Sequence, residues 1–199
     1  LGVLAIIGVL SVGGIAGYSK AMMKYRINKS IEQITLISGN IKTFFGSQKS
    51  YRGLSTQERC NVCTNFELLQ KAKLVPDEMW NSDKTALENV FGKRVVIDEV
   101  TTADGYSPLF YISYNNIPEE ACIEIITHNW SDISDLVSMA VVNDGDYSFL
   151  FDCYKNHENW SFDDQTIYGC RYVAGTLPIT LEGAVKGCAA CNDECDVVF

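Results

Sequence analysis

Apolar residues fill the first part of the chain without interruption and then recur at regular intervals. The run from Leu1 to Ser19 contains no charged residue, and about 20 apolar residues in a helix are enough to cross a bilayer. Beyond Lys20 apolar residues return every three or four positions, which is the spacing of one helical face. These positions are Met23, Ile27, Ile31, Ile34, Ile37 or Ser38, Ile41, and Phe44 or Phe45. The pattern predicts one helix over residues 1–46, apolar all round in its first half and amphipathic in its second.

The chain after Gly46 has the length and pattern of one globular head, residues 47–199. Roughly 150 residues is a common domain size. Residues 47–59 are polar and are expected to form a connector at the surface. Thr64-Asn65-Phe66-Glu67 has the form of a capping box and predicts a short helix from Asn65 to about Lys73. Asp77–Gly92 is expected to form turns and a short helix in which Trp80 is the apolar plug.

Alternating and β-branched segments predict an antiparallel sheet in the head. The expected strands are Arg94–Thr101, Leu109–Tyr114, Ser138–Val142, Tyr147–Tyr154 and Ile167–Ala174. The expected turns are Ala103-Asp104-Gly105 and Asn143-Asp144-Gly145-Asp146. Asn116 is expected to open a helix that carries Cys122, Ile123 and Ile126 on one face and ends near Asn129. The fold class is therefore α+β, with the sheet laid on the amphipathic half of the long helix.

Charge and cysteine content narrow the class of protein. The net charge is −9, which disfavours a nucleic-acid partner, because binding phosphates needs clustered Lys and Arg. Eight cysteines indicate an oxidising compartment; buried thiols in a cytosolic protein are the alternative. These cysteines are Cys60, Cys63, Cys122, Cys153, Cys170, Cys188, Cys191 and Cys195.

The spacing of the cysteines leaves several kinds of site open. Cys60-x-x-Cys63 and Cys188-x-x-Cys191 match the spacing of a four-cysteine zinc site, and either pair alone could be a thiol-exchange motif. The even total favours four structural disulfides, whose connectivity the sequence leaves undetermined. Cys153 and Cys170 could bridge neighbouring strands, and Cys60 and Cys63 could close a local loop.

The other polar groups do not match the pattern of a known metal site or catalytic site. The acidic turn 143–146 and the pair Asp163-Asp164 could hold calcium, but neither has the ligand order of an EF-hand. His128 and His157 have no matching nucleophile motif, and no phosphate-cradling glycine loop occurs. We expect no catalytic residue, no metal and no cofactor.

The first 26 residues, LGVLAIIGVLSVGGIAGYSKAMMKYR, resemble the N-terminal region of a mature type IV pilin. Ala5-Ile6-Ile7-Gly8 and Leu10-Ser11 carry the match. Tyr51-Arg52-Gly53-Leu54 and the segment FYISYNNIPEEACIEIIT narrow the resemblance to the type IVb class. It implies a structural subunit whose helix polymerises with copies of itself into an extracellular pilus on a bacterial surface. Before assembly, such a subunit is held in the inner membrane and handled by the pilus assembly machinery.

The resemblance also assigns roles to residues. The apolar side chains expected in the filament core are Leu1, Val3, Leu4, Ile6, Ile7, Val9, Leu10, Val12 and Ile15. The helix is expected to unwind partly after extraction at Gly8, Gly13, Gly14 and Gly17; close helix packing through these small residues is the alternative. The resemblance further implies that Cys122 is tied to the C-terminal region. Two of Cys188, Cys191 and Cys195 would then pair together.

One departure from the family leaves alternatives open. Type IV pilins carry a Glu near the mature N-terminus, whereas the first acidic residue here is Glu32. Aligning Ala5-Ile6-Ile7-Gly8 places that Glu about two residues before Leu1, so we expect the true N-terminus to lie upstream. A minor tip pilin or pseudopilin without this Glu is the other possibility. Outside the family, the alternative is a monomeric, membrane-tethered exported domain that binds a ligand or exchanges thiols.

Overall fold

The long helix is the first element of the computed structural model. The structure describes residues 2–56, 66–102, 105–130, 133, 136–142, 167–170, 177–191 and 195–199; for 2–13 and 167–170 it describes the backbone alone. Helix α1 spans Gly2–Phe45, 44 residues, or about 65 Å at about 1.5 Å per residue. The predicted continuous helix is confirmed.

Among the residues whose side chains are described, no helix is long and apolar enough to cross a membrane.

The head combines short helices with one antiparallel sheet. Its helices are α2 (Phe66–Lys71), a 3₁₀ turn at Asp77–Met79, α3 (Glu119–Ile126) and α4 (Leu181–Ala189). Its strands are β1 (Leu87–Glu88), β2 (Arg94–Val100), β3 (Leu109–Ile117), β4 (Ser138–Val142), β5 (Ile167–Cys170) and β6 (Cys195–Val198). The strand order is β1-β2-β3-β6-β4-β5, with every neighbouring pair antiparallel. The predicted α+β class is confirmed.

One face of the second half of α1 packs on this sheet. The buried positions follow the helical period and are Ile27, Ser30, Gln33, Ile34, Ile37, Ser38, Ile41 and Phe45. The apolar ones among them share a core with Val95 and Ile97 of β2, Ile112 and Tyr114 of β3, Val141 of β4 and Val197 of β6. The head therefore covers α1 from Ile27 onward, and burial of this apolar face holds helix and sheet together.

Adjacent residues of α1 should respond differently to truncation. Ile37→Ala removes a wholly buried side chain and should lower the free energy of unfolding by about 2–5 kcal/mol. Leu36→Ala, at a position that is 43% exposed, should change it by no more than about 0.5 kcal/mol. Urea titration of both variants measures the difference. Equal losses would mean that α1 does not pack on the sheet through the face assigned here.

The opposite face of the sheet is buried as well. Its cluster consists of Val96, Tyr111, Ala140, Val142 and Val198. Val95 and Ile97 of β2 point towards α1, and Val96 between them points to this second cluster. The strands are thus apolar on both sides, which explains why β4 is buried at all five positions.

The connector after α1 begins at the surface, as expected, with residues 47–49 exposed, but its later part docks on the sheet through residues 54–56. The backbone N–H of Thr56 donates to the carbonyl of Ile97 at 2.8 Å, and the N–H of Ile97 donates to Oγ1 of Thr56 at 2.9 Å. Gly53 adopts a positive φ of 88°, a turn conformation that favours glycine, and Leu54 next to it is buried. Tyr51 packs between Phe45 and Phe110, with ring centroids 5.5 and 4.8 Å away. Because this stretch is polar in composition, its sequence did not indicate that it packs on the sheet.

The prediction that Asn116 opens a helix is wrong. Asn116 lies in β3 with φ of +50°, at an irregularity in the pairing of β3 with β6. Its backbone N–H donates to Oδ1 of Asp196 at 2.9 Å. Pro118 is the N-cap instead, and α3 ends at Ile126 rather than near Asn129. The helix begins three residues later than expected because Asp196, a residue distant in sequence, holds Asn116 in the sheet.

The segment before β2 differs from prediction in detail. Helix α2 ends at Lys71 rather than Lys73, and the capping-box residues Thr64 and Asn65 lie outside the described residues. Met79 is wholly buried while Trp80 is only half-buried. Met79, rather than Trp80, is therefore the side chain of this segment that fills the core.

A polar network crosses the interface between α1 and the head. Tyr114 donates from its hydroxyl to Oε1 of Gln33 at 3.2 Å, and Gln33 donates from Nε2 to Glu78 at 3.1 Å. Lys29 lies 2.9 Å from the same Glu78 carboxylate. The hydrogen bond from Lys29, followed by that from Gln33, lowers the pKa of Glu78. Burial, followed by the charge of Glu78, raises the pKa of Tyr114 well above its usual value.

Tyr114 should make the protein sensitive to alkali. The folded state holds the phenol neutral, so its contribution is fully present below the unfolded pKa of about 10 and is lost as the pH rises further. Tyr114→Phe should remove this alkaline loss of stability. At neutral pH the free energy of unfolding of the variant should be about 1 kcal/mol lower, because Oε1 of Gln33 loses its hydrogen-bond donor. Midpoints of urea unfolding across the pH range measure both effects. If the Tyr114→Phe variant loses stability with rising alkaline pH as steeply as the unmodified protein does, Tyr114 is not the source of the alkaline sensitivity.

The C-terminal segment contains two elements absent from the sequence prediction. Helix α4 begins after Thr180, whose side chain accepts a hydrogen bond from the N–H of Gly183 at 3.1 Å. Strand β6 lies in the middle of the sheet between β3 and β4. The strand expected at 167–174 is present as β5 over Ile167–Cys170; residues 171–174, the expected strand 147–154 and the turn 143–146 lie outside the described residues.

Candidate assembly surface

The described side chains of α1 up to Ala21 extend beyond the head. Every residue from Gly14 to Ala21 is exposed. Ile15 is 67% exposed although it belongs to the uncharged run, and Tyr18 is exposed to the same extent. Monomeric proteins rarely leave contiguous apolar surface in water without a use for it. This end of the helix therefore offers apolar side chains to another molecule.

An exposed stripe of large apolar residues continues along α1 into the part that the head covers. It consists of Ile15, Tyr18, Tyr25, Leu36 and Phe44, and we refer to it as the outer stripe. Tyr25 follows Tyr18 by seven residues and Leu36 follows Tyr25 by eleven, separations close to whole turns at about 3.6 residues per turn. The sheet covers the opposite side of the helix, at Ile27, Ile34 and Ile41. The side of α1 that the head leaves uncovered thus carries several large exposed apolar residues, with the Lys29–Glu32 ion pair between Tyr25 and Leu36.

The basic residues after the uncharged run link α1 to the head. Lys24 forms an ion pair with Glu124 of α3, and the guanidinium carbon of Arg26 lies 5.9 Å from the centroid of the Phe91 ring. Lys20 is exposed. A surface ion pair of this kind contributes about 0–1 kcal/mol. Its effect here is to orient the first exposed turns of α1 relative to α3.

The structure describes few of the residues that the sequence assigned to the filament core. Ile15 is exposed, as an assembly residue must be in the isolated chain. The other positions lie on the backbone-only part of α1, or, for Leu1, outside the described residues: Leu1, Val3, Leu4, Ile6, Ile7, Val9, Leu10 and Val12. Tyr18, Tyr25 and Leu36 are exposed apolar residues of α1 that were not assigned from the sequence, although their spacing of seven and eleven residues is visible in it.

The helix is continuous across the four predicted flexibility glycines. Gly8, Gly13, Gly14 and Gly17 all have helical backbone in α1. A Cβ atom built on Gly14 or Gly17 would meet nothing within 4 Å. Within the described part of the chain, no contact therefore requires glycine at these two positions. Unwinding and close packing with a neighbouring helix both remain predictions.

Two disulfides hold the C-terminal segment, one to α3 and the other within the segment itself. Cys122 of α3 pairs with Cys188 of α4, and Cys191 pairs with Cys195 of β6, so the pairing implied by the family resemblance is confirmed. The zinc and thiol-exchange interpretations of Cys188-x-x-Cys191 are wrong, because each cysteine bonds to a different partner. Cys60, Cys63 and Cys153 lie outside the described residues, and Cys170 is described by its backbone alone.

The remaining polar candidates form no site among the described residues. His128 packs edge-on against Trp130, with ring centroids 5.0 Å apart, which is a packing role. His157, Asp163-Asp164 and the acidic turn 143–146 lie outside the described part of the chain.

A long N-terminal helix packs one face on an antiparallel sheet, an architecture that this chain shares with a type IV pilin of known structure. The chain belongs to the family described as PilS N terminal, whose model matches residues 24–148. The crystal structure of TcpA, a type IV pilin from Vibrio cholerae El Tor biotype, matches with a TM-score of 0.51 and 13% identity. That match covers 88% of this chain and 98% of that chain, and it shows the fold. No curated protein matches the sequence significantly. The predicted type IV pilin family, type IVb-like, is confirmed.

Proposed function

We propose that this chain is a structural subunit that polymerises through α1 into an extracellular pilus. The observation that carries the proposal is the outer stripe, a set of large apolar side chains that stay exposed along α1 after the head has packed on it. Each Leu, Ile or Val that a neighbour covers would contribute about 1.5–3 kcal/mol to assembly. A filament core built from such helices would bury the stripe and the uncharged run together.

Contacts of this kind are expected to be head-to-tail. The uncovered end of one helix and the head-covered end of another are different surfaces, so the interface is heterologous. Heterologous contacts whose rotation does not close produce helical filaments. The disulfide-bearing head would then form the outside of the filament, and copies of this chain would be the main partners.

Before assembly, the uncharged run Leu1–Ser19 is proposed to hold the subunit in the inner membrane. It lacks charged residues, and Lys20, Lys24 and Arg26 follow at once, an arrangement suited to one membrane face. The pilus assembly machinery would take the subunit from there. The role is structural, and we propose no catalytic function for any residue.

Shearing of intact cells tests the proposal. Material released by shear should contain this chain in filaments visible by electron microscopy, and antibody against the head should label them along their length. Labelling only at filament ends would indicate a minor tip pilin instead. If the chain stays entirely in the membrane fraction, the monomeric tethered alternative is correct and the polymerisation proposal is wrong.

A further inference from the structure

The two described disulfides lie against each other rather than apart. The Sγ atoms of Cys122, Cys188 and Cys195 all lie within 4.8 Å of one another, although Cys195 is bonded to Cys191. All three residues are buried. Cys195 Sγ also lies 3.2 Å from the backbone carbonyl oxygen of Cys188. A sulfur of one bridge is therefore placed next to both sulfurs of the other.

Cys191 is placed differently from its partner. It is bonded to Cys195, but its sulfur does not belong to the group that lies mutually within 4.8 Å. It closes the C-terminal end of α4, where its Sγ is 3.3 Å from the carbonyl oxygen of Cys188. Of the two sulfurs in the Cys191–Cys195 bridge, only that of Cys195 thus lies within 4.8 Å of both sulfurs of the other bridge.

We infer that the two bridges form one exchanging cluster in which Cys195 is the attacking thiol. An external dithiol reduces the Cys191–Cys195 bond and is itself oxidised to a disulfide, which leaves two thiols in the protein. The Cys195 thiolate attacks a sulfur of the Cys122–Cys188 bond. When the Cys122–Cys195 bond forms, the Cys122–Cys188 bond breaks and Cys188 leaves as thiolate; attack on Cys188 releases Cys122 instead. No net electron transfer accompanies this second step.

Exchange within the cluster has a consequence for oxidative folding. A bond from Cys122 to either Cys188 or Cys195 ties α3 to the C-terminal segment. A chain that first closes the wrong pair can therefore reach the native pairing through neighbouring sulfurs, and α3 stays attached when the exchange takes place at Cys122. The packed sulfurs make the pairing self-correcting after β6 has entered the sheet.

Two single substitutions test the inference in the full-length chain. Cys191→Ser leaves Cys195 as the free thiol, and Cys195→Ser leaves Cys191 as the matched control. Each variant is held at about pH 8 to raise the thiolate fraction, quenched with acid, alkylated and mapped by mass spectrometry without reduction. In the Cys191→Ser variant, part of the protein should carry a rearranged Cys122–Cys195 or Cys188–Cys195 bond. The amount should be on the order of tenfold higher than the amount of any bond to Cys191 in the control, because exchange depends on access between sulfurs.

The inference is overturned if both variants retain Cys122–Cys188 as the sole bridge of the cluster. Equal rearrangement in both, or rearrangement mainly with Cys60, Cys63, Cys153 or Cys170, would overturn it as well. Limited reduction of the unmodified protein by dithiothreitol covers the case in which a variant does not fold. A transient Cys122–Cys195 or Cys188–Cys195 species is then expected, whereas independent opening of the two bridges without such a species would refute the exchange.

Discussion

Ile15→Asp should abolish filaments while leaving the head folded. Ile15 is 67% exposed in the isolated chain, so the head has no need of it. In a filament the same position would be buried against neighbouring helices, where lost apolar burial and an uncompensated carboxylate together cost at least about 4 kcal/mol for each subunit added, roughly a thousandfold in affinity. Shear preparations examined by electron microscopy measure the loss.

Ile15→Val is the matched control, because it keeps an apolar, β-branched side chain and should still form filaments. The Ile15→Asp subunit must also be present in the membrane fraction with its disulfides formed, which separates failed assembly from failed insertion. The same substitution at Ile6 or Ile7 is expected to act alike. Normal amounts of filament from Ile15→Asp would show that this end of α1 is not buried in the assembly.

Removal of the Cys122–Cys188 disulfide should be the most damaging change in the head. The bridge spans a sequence separation of 66 residues, and closing a loop of that length restricts the unfolded chain by about 4 kcal/mol. It also ties α3 to α4, two helices that pack on the same core. The double variant Cys122→Ala/Cys188→Ala should therefore lose about 4 kcal/mol in urea unfolding.

The second bridge is the internal control for this prediction. Cys191 and Cys195 are separated by only four residues, so Cys191→Ala/Cys195→Ala should lose about 2 kcal/mol on the same chain-entropy argument. Both double variants remove buried sulfur atoms, which keeps the packing loss comparable. A larger loss from the short bridge would mean that strain or packing, not loop closure, sets the stability of this region.

The family assignment and the long helix were accessible from the sequence because their signals are local. Helix α1 ends at Phe45 as the periodicity indicated, and β4 has the predicted bounds. The outer stripe was also visible in principle, since Tyr18, Tyr25 and Leu36 recur at whole turns. It was missed because only the packing of the head tells which apolar side of α1 is left uncovered.

The sequence by itself determined the length of α1, the α+β class and an oxidised C-terminal segment, because helical period, strand alternation and cysteine content act over short stretches. Only the tertiary structure decided that β6, four residues at the C-terminus, lies in the centre of the sheet. A stretch of four residues is too short for its alternation of side chains to predict a strand. Position in the sheet depends on β3 and β4 as partners, and the same long-range contacts hold Asn116 in β3 and bring the sulfurs of both bridges together.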